Sequence, residues 1–150
     1  MKRPDFMSLA LAEAEAAAAR GEVPVGAVIA GNGEVVAKAG NRTRELSDPT
    51  AHAEMLVIRE ASKKLSAERL GGMDLYVTLE PCTMCAGAIS FARIRRLYFG
   101  AADEKGGAVV SGVRFFSSPT CHHAPEIYPG IAEQESSAIL RDFFRLRRDG

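Results

Sequence analysis

The sequence has few cysteines, no net charge and no long apolar run, and each of these features excludes a class of protein. Three cysteines in a 150-residue chain are an odd number, which argues against the disulfide framework of a small secreted domain. Nineteen basic and nineteen acidic side chains cancel, so the chain has no overall basic field. A protein that coats nucleic acid in bulk is therefore disfavoured, while local charged patches stay open.

The alanine-rich segment near the start of the chain does not have the pattern of a targeting or membrane segment. Lys2 and Arg3 precede it, but Glu13 and Glu15 interrupt it, whereas a signal peptide or membrane span needs an uninterrupted apolar core. Together with an odd number of thiols, this predicts a soluble cytoplasmic protein with reduced cysteines and no membrane partner.

The hydrophobic pattern in the first third of the chain predicts a helix followed by a hairpin. Apolar residues recur at helical spacing after Asp5, which can cap the helix, and Gly21 ends it. The apolar runs 23–30 and 34–39 flank Gly31-Asn32-Gly33, which is typical of two strands joined by a glycine-assisted turn. The first of these strands is apolar on both faces, so we expect helices to bury it.

The rest of the chain alternates between helical and strand patterns. Asp48 is the expected N-cap of a second helix, with Pro49 at the first helical position and the end near Leu65. The further segments are a strand over 75–79, a helix from Pro81 through Phe91, strands over 94–100 and 126–128, and a helix over 131–148. This order predicts a single α/β domain over residues 1–150, with three α/β/α layers and a mixed five-stranded sheet.

One histidine and two cysteines form a split cluster of metal-competent side chains. His52-Ala53-Glu54 is followed, about thirty residues later, by Pro81-Cys82-Thr83-Met84-Cys85. Three protein ligands with an open fourth position are typical of a catalytic zinc, whereas a structural site usually has four. Glu54 is a hard oxygen ligand, so beside two thiolates it is predicted to act as a base rather than as a fourth ligand.

The predicted helix starts give these ligands a favourable electrostatic setting. His52 and Glu54 lie in or beside the first turn of one helix, and Cys82 and Cys85 share a face at the start of another. The free N–H groups and partial positive charge of a helix N-terminus favour thiolate over thiol. Thiolate is the form that binds zinc, so the setting supports a metal site.

These motifs resemble the zinc-dependent cytidine and adenosine deaminase superfamily, whose signature combines His-x-Glu with Pro-Cys-x-x-Cys. Longer runs narrow the resemblance to the family of bacterial tRNA-specific adenosine deaminases. The runs are Glu22–Val28, Gly40–Arg42, Asp48–Glu54, Leu75–Cys82 and Asp142–Arg145. They span nearly the whole chain.

The resemblance implies a cytidine-deaminase-like fold and hydrolytic deamination of adenosine to inosine, with release of ammonia. The implied substrate is the wobble position in the anticodon loop of an arginine tRNA with an ACG anticodon, bound by a homodimer. One zinc ion per subunit is implied at His52, Cys82 and Cys85, with Glu54 as the catalytic acid and base. The implied substrate-binding residues are Val23, Asn41, Ala51 and Asp103, and the candidate RNA-binding residues are Phe144, Arg145, Arg147 and Arg148.

Several of these residues also have a simpler interpretation. Asn41 could end a strand through a turn, and Asp103 could form a turn before Gly106-Gly107. The basic residues after Phe144 could be a solvated helix end. Cys121-His122-His123 could bind a second metal, although an ordinary loop fits this segment better.

Three other interpretations of the sequence are possible. The same scaffold could deaminate a free base or nucleoside, such as guanine or cytosine. The cluster could instead hold zinc in a non-enzymatic binding module, where Glu54 would have no catalytic role. A Cys-x-x-Cys pair can also be a redox motif, but redox chemistry does not need the His-x-Glu segment upstream.

Overall fold

The computed structural model describes residues 5–149, with side chains as far as residue 147. The elements in chain order are α1 (Phe6–Ala19), β1 (Gly26–Gly31), β2 (Glu34–Gly40), α2 (Ala53–Leu65), β3 (Asp74–Leu79), α3 (Thr83–Ala92), β4 (Arg96–Ala101), a short 3₁₀ helix (Phe115–Ser117), β5 (Glu126–Tyr128) and α4 (Glu133–Asp149).

Five strands form one mixed sheet in the order β2-β1-β3-β4-β5. Strand β1 runs antiparallel to both β2 and β3, whereas β3, β4 and β5 are parallel to one another. Helices α1 and α4 cover one face of the sheet, and α2 and α3 cover the other. The predicted three-layer α/β/α fold with a mixed five-stranded sheet is therefore confirmed.

Strand β1 is buried on both faces, as its composition predicts. Ala27 and Ile29 belong to the main core with α2 and α3, whereas Val28 packs with Met7 and Ala10 of α1. The backbone of α1 approaches β1 so closely at Gly26 that a Cβ there would collide with the Ala10 carbonyl oxygen and the Ala14 nitrogen. Small residues on both elements thus permit the close helix–sheet packing.

The predicted hairpin is present, but its first strand begins at Gly26 and not at Val23. Asn32 and Gly33 have φ values of 54° and 77°, the left-handed pair that a type I′ hairpin turn requires. Before the strand, the Val25 N–H donates to the Val23 carbonyl at 2.9 Å. This tight turn removes Val23 from the ladder and places it at the end of the sheet.

Helices α2 and α3, which carry the metal-competent residues at their N-termini, both begin later in the chain than predicted. Asp48 is not the N-cap of α2; its carboxylate accepts from the N–H and hydroxyl of Thr50 at 2.9 and 2.7 Å, which is the local turn that aspartate favours. His52 occupies the N-cap position. Likewise α3 begins at Thr83 with Cys82 as its N-cap, so Pro81 lies before the helix and does not open it.

None of the helices within residues 5–149 has the length and apolar character that crossing a membrane would require.

Candidate functional site

The three predicted metal ligands lie together where α2 and α3 begin. His52 and Cys82 are the N-cap residues of α2 and α3, and Cys85 lies in the first turn of α3. Neither side chain forms a cap hydrogen bond with the first N–H groups of its helix, and both lie at a shared centre. The Nδ1 atom of His52 lies 3.6 Å from Cys82 Sγ and 3.5 Å from Cys85 Sγ.

The donor set fits a zinc ion. A tetrahedral ion with Zn–S bonds of about 2.3 Å and a Zn–N bond of about 2.0–2.1 Å separates its nitrogen and sulfur ligands by about 3.5 Å. The two nitrogen–sulfur distances agree with this value, and the three donor atoms all lie within 4.8 Å of one another. Across the described residues, this is the one group of three such side chains close enough to share an ion.

The two thiols have opposite proton affinities because they share one hydrogen bond. The Cys85 thiol donates to the Cys82 sulfur, and this contact lowers the pKa of Cys82 to about 4. The same contact raises the pKa of Cys85, and burial raises it further. The hydrogen bond to Cys82 also raises the pKa of His52. A metal ion must therefore displace a proton from Cys85, which makes its binding dependent on pH.

Glu54 lies in the first turn of α2, buried beside the ligands with 4% of its surface exposed. Burial raises the pKa of its carboxyl to about 7. A carboxyl that titrates near neutral pH can both take and return a proton, which is what general acid–base catalysis requires. The structure thus places an acid–base group next to the metal-competent cluster.

A cavity of about 340 Å³ opens onto the cluster. His52, Glu54 and Cys82 form part of its wall. The predicted residues Val23, Asn41 and Asp103 line it as well, together with Thr43 and Gly106. Three loops that are distant in the sequence therefore converge on the same space as the metal-competent group.

Ala51 differs from the other predicted substrate residues, because it is fully buried and does not line the cavity. Its carbonyl accepts from the Arg42 N–H at 3.0 Å, and its N–H donates to the Asp48 carbonyl at 3.1 Å. Ala51 holds the 41–51 loop together directly before His52.

Asn41 follows β2 directly, is 6% exposed and lines the cavity. Its φ is not positive, so the backbone does not need asparagine for a left-handed turn. Its side-chain amide donates to Thr43 Oγ1 at a long 3.4 Å. The amide is thus available for a stronger partner in the cavity.

Asp103 forms the predicted turn and also lines the cavity. Its carboxylate accepts from the N–H groups of Lys105 and Gly106 at 3.2 and 3.0 Å, which is the turn expected before the glycines. The same residue lines the cavity.

Two buried glutamates are functional candidates that the sequence reasoning missed: Glu80, which lies in the cavity wall, and Glu22, which directly precedes the cavity residue Val23. Glu22 is 1% exposed and accepts from the N–H groups of Arg44 and Glu45 at 3.1 and 2.7 Å. Glu80 is 2% exposed and accepts five hydrogen bonds from residues 103–111. The sequence did contain a signal for both residues, because each glutamate directly flanks an apolar strand segment. A charge buried there is costly unless it is paired, so a partner could have been expected.

Burial and hydrogen bonding act in opposite directions on both glutamates. Burial alone would raise the pKa of Glu80, but N–H donors from the 103–111 segment outweigh it and lower the pKa. Burial would likewise raise the pKa of Glu22, but the two N–H donors and the charges of Arg20 and Arg44 lower it. Both side chains are therefore ionised at neutral pH.

The C-terminal helix brings one of its candidate RNA residues close to the cavity. Phe144 is 47% exposed and lines a second depression, which we call the α4 depression. This depression shares three of its lining residues with the cavity. The α4 depression is lined by Val23, Leu79, Ala102, Asp103, Glu104, Lys105, Leu140 and Phe144. Phe143, its neighbour in the chain, is half-buried, so the two adjacent phenylalanines differ in exposure.

The basic residues of α4 differ in their surroundings. Arg145 is exposed and pairs with Asp142 at 3.5 Å, a surface contact that contributes little. Arg147 donates to the Gly21 carbonyl at 2.6 Å, and its guanidinium lies 4.5 Å from the centre of the Phe143 ring. Arg147 therefore fastens α4 to the end of α1. The side chain of Arg148 lies outside the described residues.

Cys121-His122-His123 forms an ordinary loop. The Cys121 thiol donates to the His123 carbonyl at 3.1 Å, and His123 Nε2 bonds to the Ile94 carbonyl at 2.8 Å. These contacts attach the loop to the segment before β4 and engage the Cys121 thiol and one ring nitrogen of His123.

Comparisons with known proteins match this chain to deaminases. A family model described as MafB19-like deaminase matches residues 1–148. A tRNA-specific adenosine deaminase from Agrobacterium fabrum is 68% identical over 147 residues, which cover 98% of this chain and 97% of that protein.

Solved structures give the same picture. One comes from a study of A-to-I editing by tRNA:A34 deaminases at the wobble position of transfer RNA; it is 70% identical, has a TM-score of 0.89, and the match covers 90% of this chain and 98% of that one. A guanine deaminase from Bacillus subtilis is 30% identical with a TM-score of 0.66, over 100% of this chain and 96% of that one.

Proposed function

This chain belongs to the family of tRNA-specific adenosine deaminases, and we propose that it deaminates adenosine to inosine at the wobble position of tRNA. The proposed substrate is the arginine tRNA with an ACG anticodon, and ammonia is released. One observation carries the proposal: His52, Cys82 and Cys85 lie together beside the buried carboxyl of Glu54, and His52, Cys82 and Glu54 line a cavity of about 340 Å³. This volume lies within the range of small-molecule sites.

His52, Cys82 and Cys85 would hold one zinc ion per chain. When bound, zinc is a Lewis acid that makes water a nucleophile at neutral pH. Their positions at two helix N-termini favour the thiolate form that such an ion needs.

Glu54 moves the protons of the reaction. Its carboxylate accepts a proton from the attacking water and returns it to N1 of the adenine ring as C6 becomes tetrahedral. It then takes the proton of the new C6 hydroxyl and delivers it to the amino group, so that the C6–N bond breaks, ammonia leaves and the C6 carbonyl of inosine forms. Burial supports both steps, because a carboxyl whose pKa is raised to about 7 holds and releases a proton with similar ease at neutral pH.

The cavity wall binds and orients the base. The Asn41 amide offers a hydrogen-bond donor and acceptor to the nucleoside, while Val23 and Asp103 bound the opening. Ala51 acts indirectly, since its backbone bonds hold the loop that ends at His52.

The α4 depression extends the cavity towards Phe144, and we propose that flanking nucleotides of the anticodon loop lie there. Bases of a single-stranded loop can turn outward and stack on an aromatic ring. Phe144 offers such a ring, and Arg145 a nearby cation. Residues 1–150 would act as a single domain in a cytoplasmic homodimer.

The first experiment incubates zinc-loaded protein with a transcript of arginine tRNA bearing the ACG anticodon and then sequences the product, in which inosine is read as guanosine. We expect conversion of the wobble adenosine, and Glu54→Gln should lower the rate by about 100-fold or more while zinc stays bound. The matched control is Glu60→Gln, a change of the same chemistry at an exposed position of α2, which should behave like the unaltered protein.

Other outcomes point to other functions. Ammonia released from free guanine or cytidine, with the tRNA unchanged, would move the substrate to a small molecule on the same chemistry. A Glu54→Gln variant indistinguishable from the unaltered protein in every assay would instead indicate a zinc-stabilised binding module.

A further inference from the structure

Glu80 lies between the end of β3 and the metal-ligand segment, and its side chain turns into the loop formed by residues 102–112. We propose that Glu80 is a positioning residue that shapes this loop and, through it, the wall of the substrate cavity. Its effect on substrate binding rests on the function proposed above, whereas its effect on the loop does not.

The carboxylate of Glu80 takes the place of a bound anion within the loop. The N–H groups of three consecutive residues, Val109, Val110 and Ser111, converge on Glu80 Oε2 at 3.0, 2.9 and 2.9 Å. Successive N–H groups that point at one atom form a nest, a backbone concavity suited to a negative charge. The loop therefore depends on a charge supplied from outside its own sequence.

The second carboxylate oxygen of Glu80 binds both ends of the same loop. Glu80 Oε1 accepts from the Asp103 N–H and from the Ser111 hydroxyl, both at 2.9 Å. One side chain thus joins residue 103 to residue 111 and closes the loop around itself. Hydrogen bonds to an ionised acceptor are among the strong ones, and here they lie away from solvent.

The loop held in this way carries part of the cavity wall. Asp103 and Gly106 line the cavity beside Cys82, and Lys105 lines the α4 depression. A further backbone bond runs from the Ala108 N–H to the Pro81 carbonyl at 2.9 Å, so the loop also contacts the segment next to a metal ligand. A shift of the loop would change the shape of the cavity without removing a ligand.

Gly107 shows how closely the loop fits the carboxylate. A Cβ at Gly107 would collide with the Glu80 carboxyl carbon, and it would lie 2.5 Å from the Asp103 carbonyl oxygen. Both groups are fixed, so the methyl group added in Gly107→Ala should push the loop away from the Glu80 carboxylate.

The direct test is Glu80→Gln. The amide keeps the size of the side chain, but its NH₂ group faces N–H or hydroxyl donors and cannot accept from them. We expect zinc content to stay at one per chain. We expect trypsin to cleave after the exposed Lys105 about tenfold faster or more, because the loop opens more often.

With tRNA as substrate, Glu80→Gln should raise KM by about tenfold and change kcat less, because tRNA would bind only the molecules in which the loop is closed, and the apparent affinity falls with their fraction. Ser111→Ala removes one of the five donors and should give a smaller change in the same direction. Glu60→Gln is the matched control and should leave both Lys105 cleavage and KM unchanged.

A folded Glu80→Gln protein with unaltered cleavage at Lys105 would overturn the proposal. Faster cleavage with an unaltered KM would overturn the link to the cavity. If Glu80→Gln does not fold, Gly107→Ala is judged by the same two measurements. If the unaltered protein leaves tRNA unchanged, the proposed function fails, and cleavage at Lys105 still decides whether Glu80 holds the loop.

Discussion

Nδ1 of His52 lies 3.5 Å from Sγ of Cys85, although 33 residues separate them in the chain. The two residues meet because α2 and α3 lie side by side on one face of the sheet and begin at the same place. Both helix N-termini thus point at one centre. Three predictions follow from this arrangement and from the loops around it.

Replacing one ligand should remove the metal and destabilise the fold. In Cys82→Ala we expect zinc to fall from one per chain towards none, and the melting temperature to fall by about 5 °C or more, because metal binding is coupled to folding. Elemental analysis and calorimetry measure the two effects.

Cys121→Ala is the matched control for a lost thiol. Cys121 lies in the loop before β5, and its thiol contacts the Ser90 hydroxyl and the His123 carbonyl, neither of which belongs to a metal ligand, so this variant should retain its zinc. Full zinc occupancy in Cys82→Ala would contradict the assignment of the ligands.

Glu22 should make the stability of the protein depend on pH in the acid range. Its folded-state pKa is lowered, since the N–H donors of Arg44 and Glu45 and the charges of Arg20 and Arg44 outweigh burial. The carboxylate therefore contributes stability above the unfolded pKa of about 4.3, and this contribution disappears as pH falls through the folded pKa.

Glu22→Gln should accordingly be less stable than the unaltered protein at pH 7, and the difference should shrink as pH falls below about 4.3. Urea unfolding of both proteins across this range measures the difference. Glu60→Gln, which changes an exposed carboxylate, should follow the unaltered protein throughout. A gap between the Glu22→Gln and unaltered proteins that stays constant with pH would contradict the role of the Glu22 charge.

Phe144 should contribute to RNA binding and little to the fold. Phe144→Ala should raise KM for tRNA about tenfold, since stacking of a base on an aromatic ring is worth about 1–3 kcal/mol. The melting temperature should change little, because the side chain is 47% exposed.

Leu146→Ala is the control on the same helix. Leu146 is 69% exposed and lies outside the α4 depression, so neither KM nor the melting temperature should change. Equal KM values for the Phe144→Ala and unaltered proteins would show that this ring does not contact the RNA.

The order of elements and the metal-competent cluster were predictable, but the starts of two helices were not. Hydrophobic periodicity predicted four helices and five strands because it reports which faces are buried. Asp48-Pro49 has the composition of a helix start, yet Asp48 bonds to Thr50 in a local turn and His52 takes the N-cap. Aspartate favours both environments, so its identity does not distinguish them.

The arginines of α4 show the same limit. Arg145 and Arg147 are two residues apart and chemically identical, and both were candidates for RNA contact. In the structure, Arg147 bonds to the carbonyl of Gly21, 126 residues away, while Arg145 stays on the surface. A contact over that distance has no signature in local sequence.

His52, Glu54, Cys82 and Cys85 were recognisable from residue type and short spacing, because metal binding and proton transfer require particular side chains. Which other residues surround those side chains could be learned only from the tertiary structure. Glu80 was overlooked because its five donors lie 23 to 31 residues further along the chain, and four of them are backbone N–H groups, which every residue except proline possesses. Folding of the chain selects which of these identical groups surround a carboxylate, and that selection shapes the cavity.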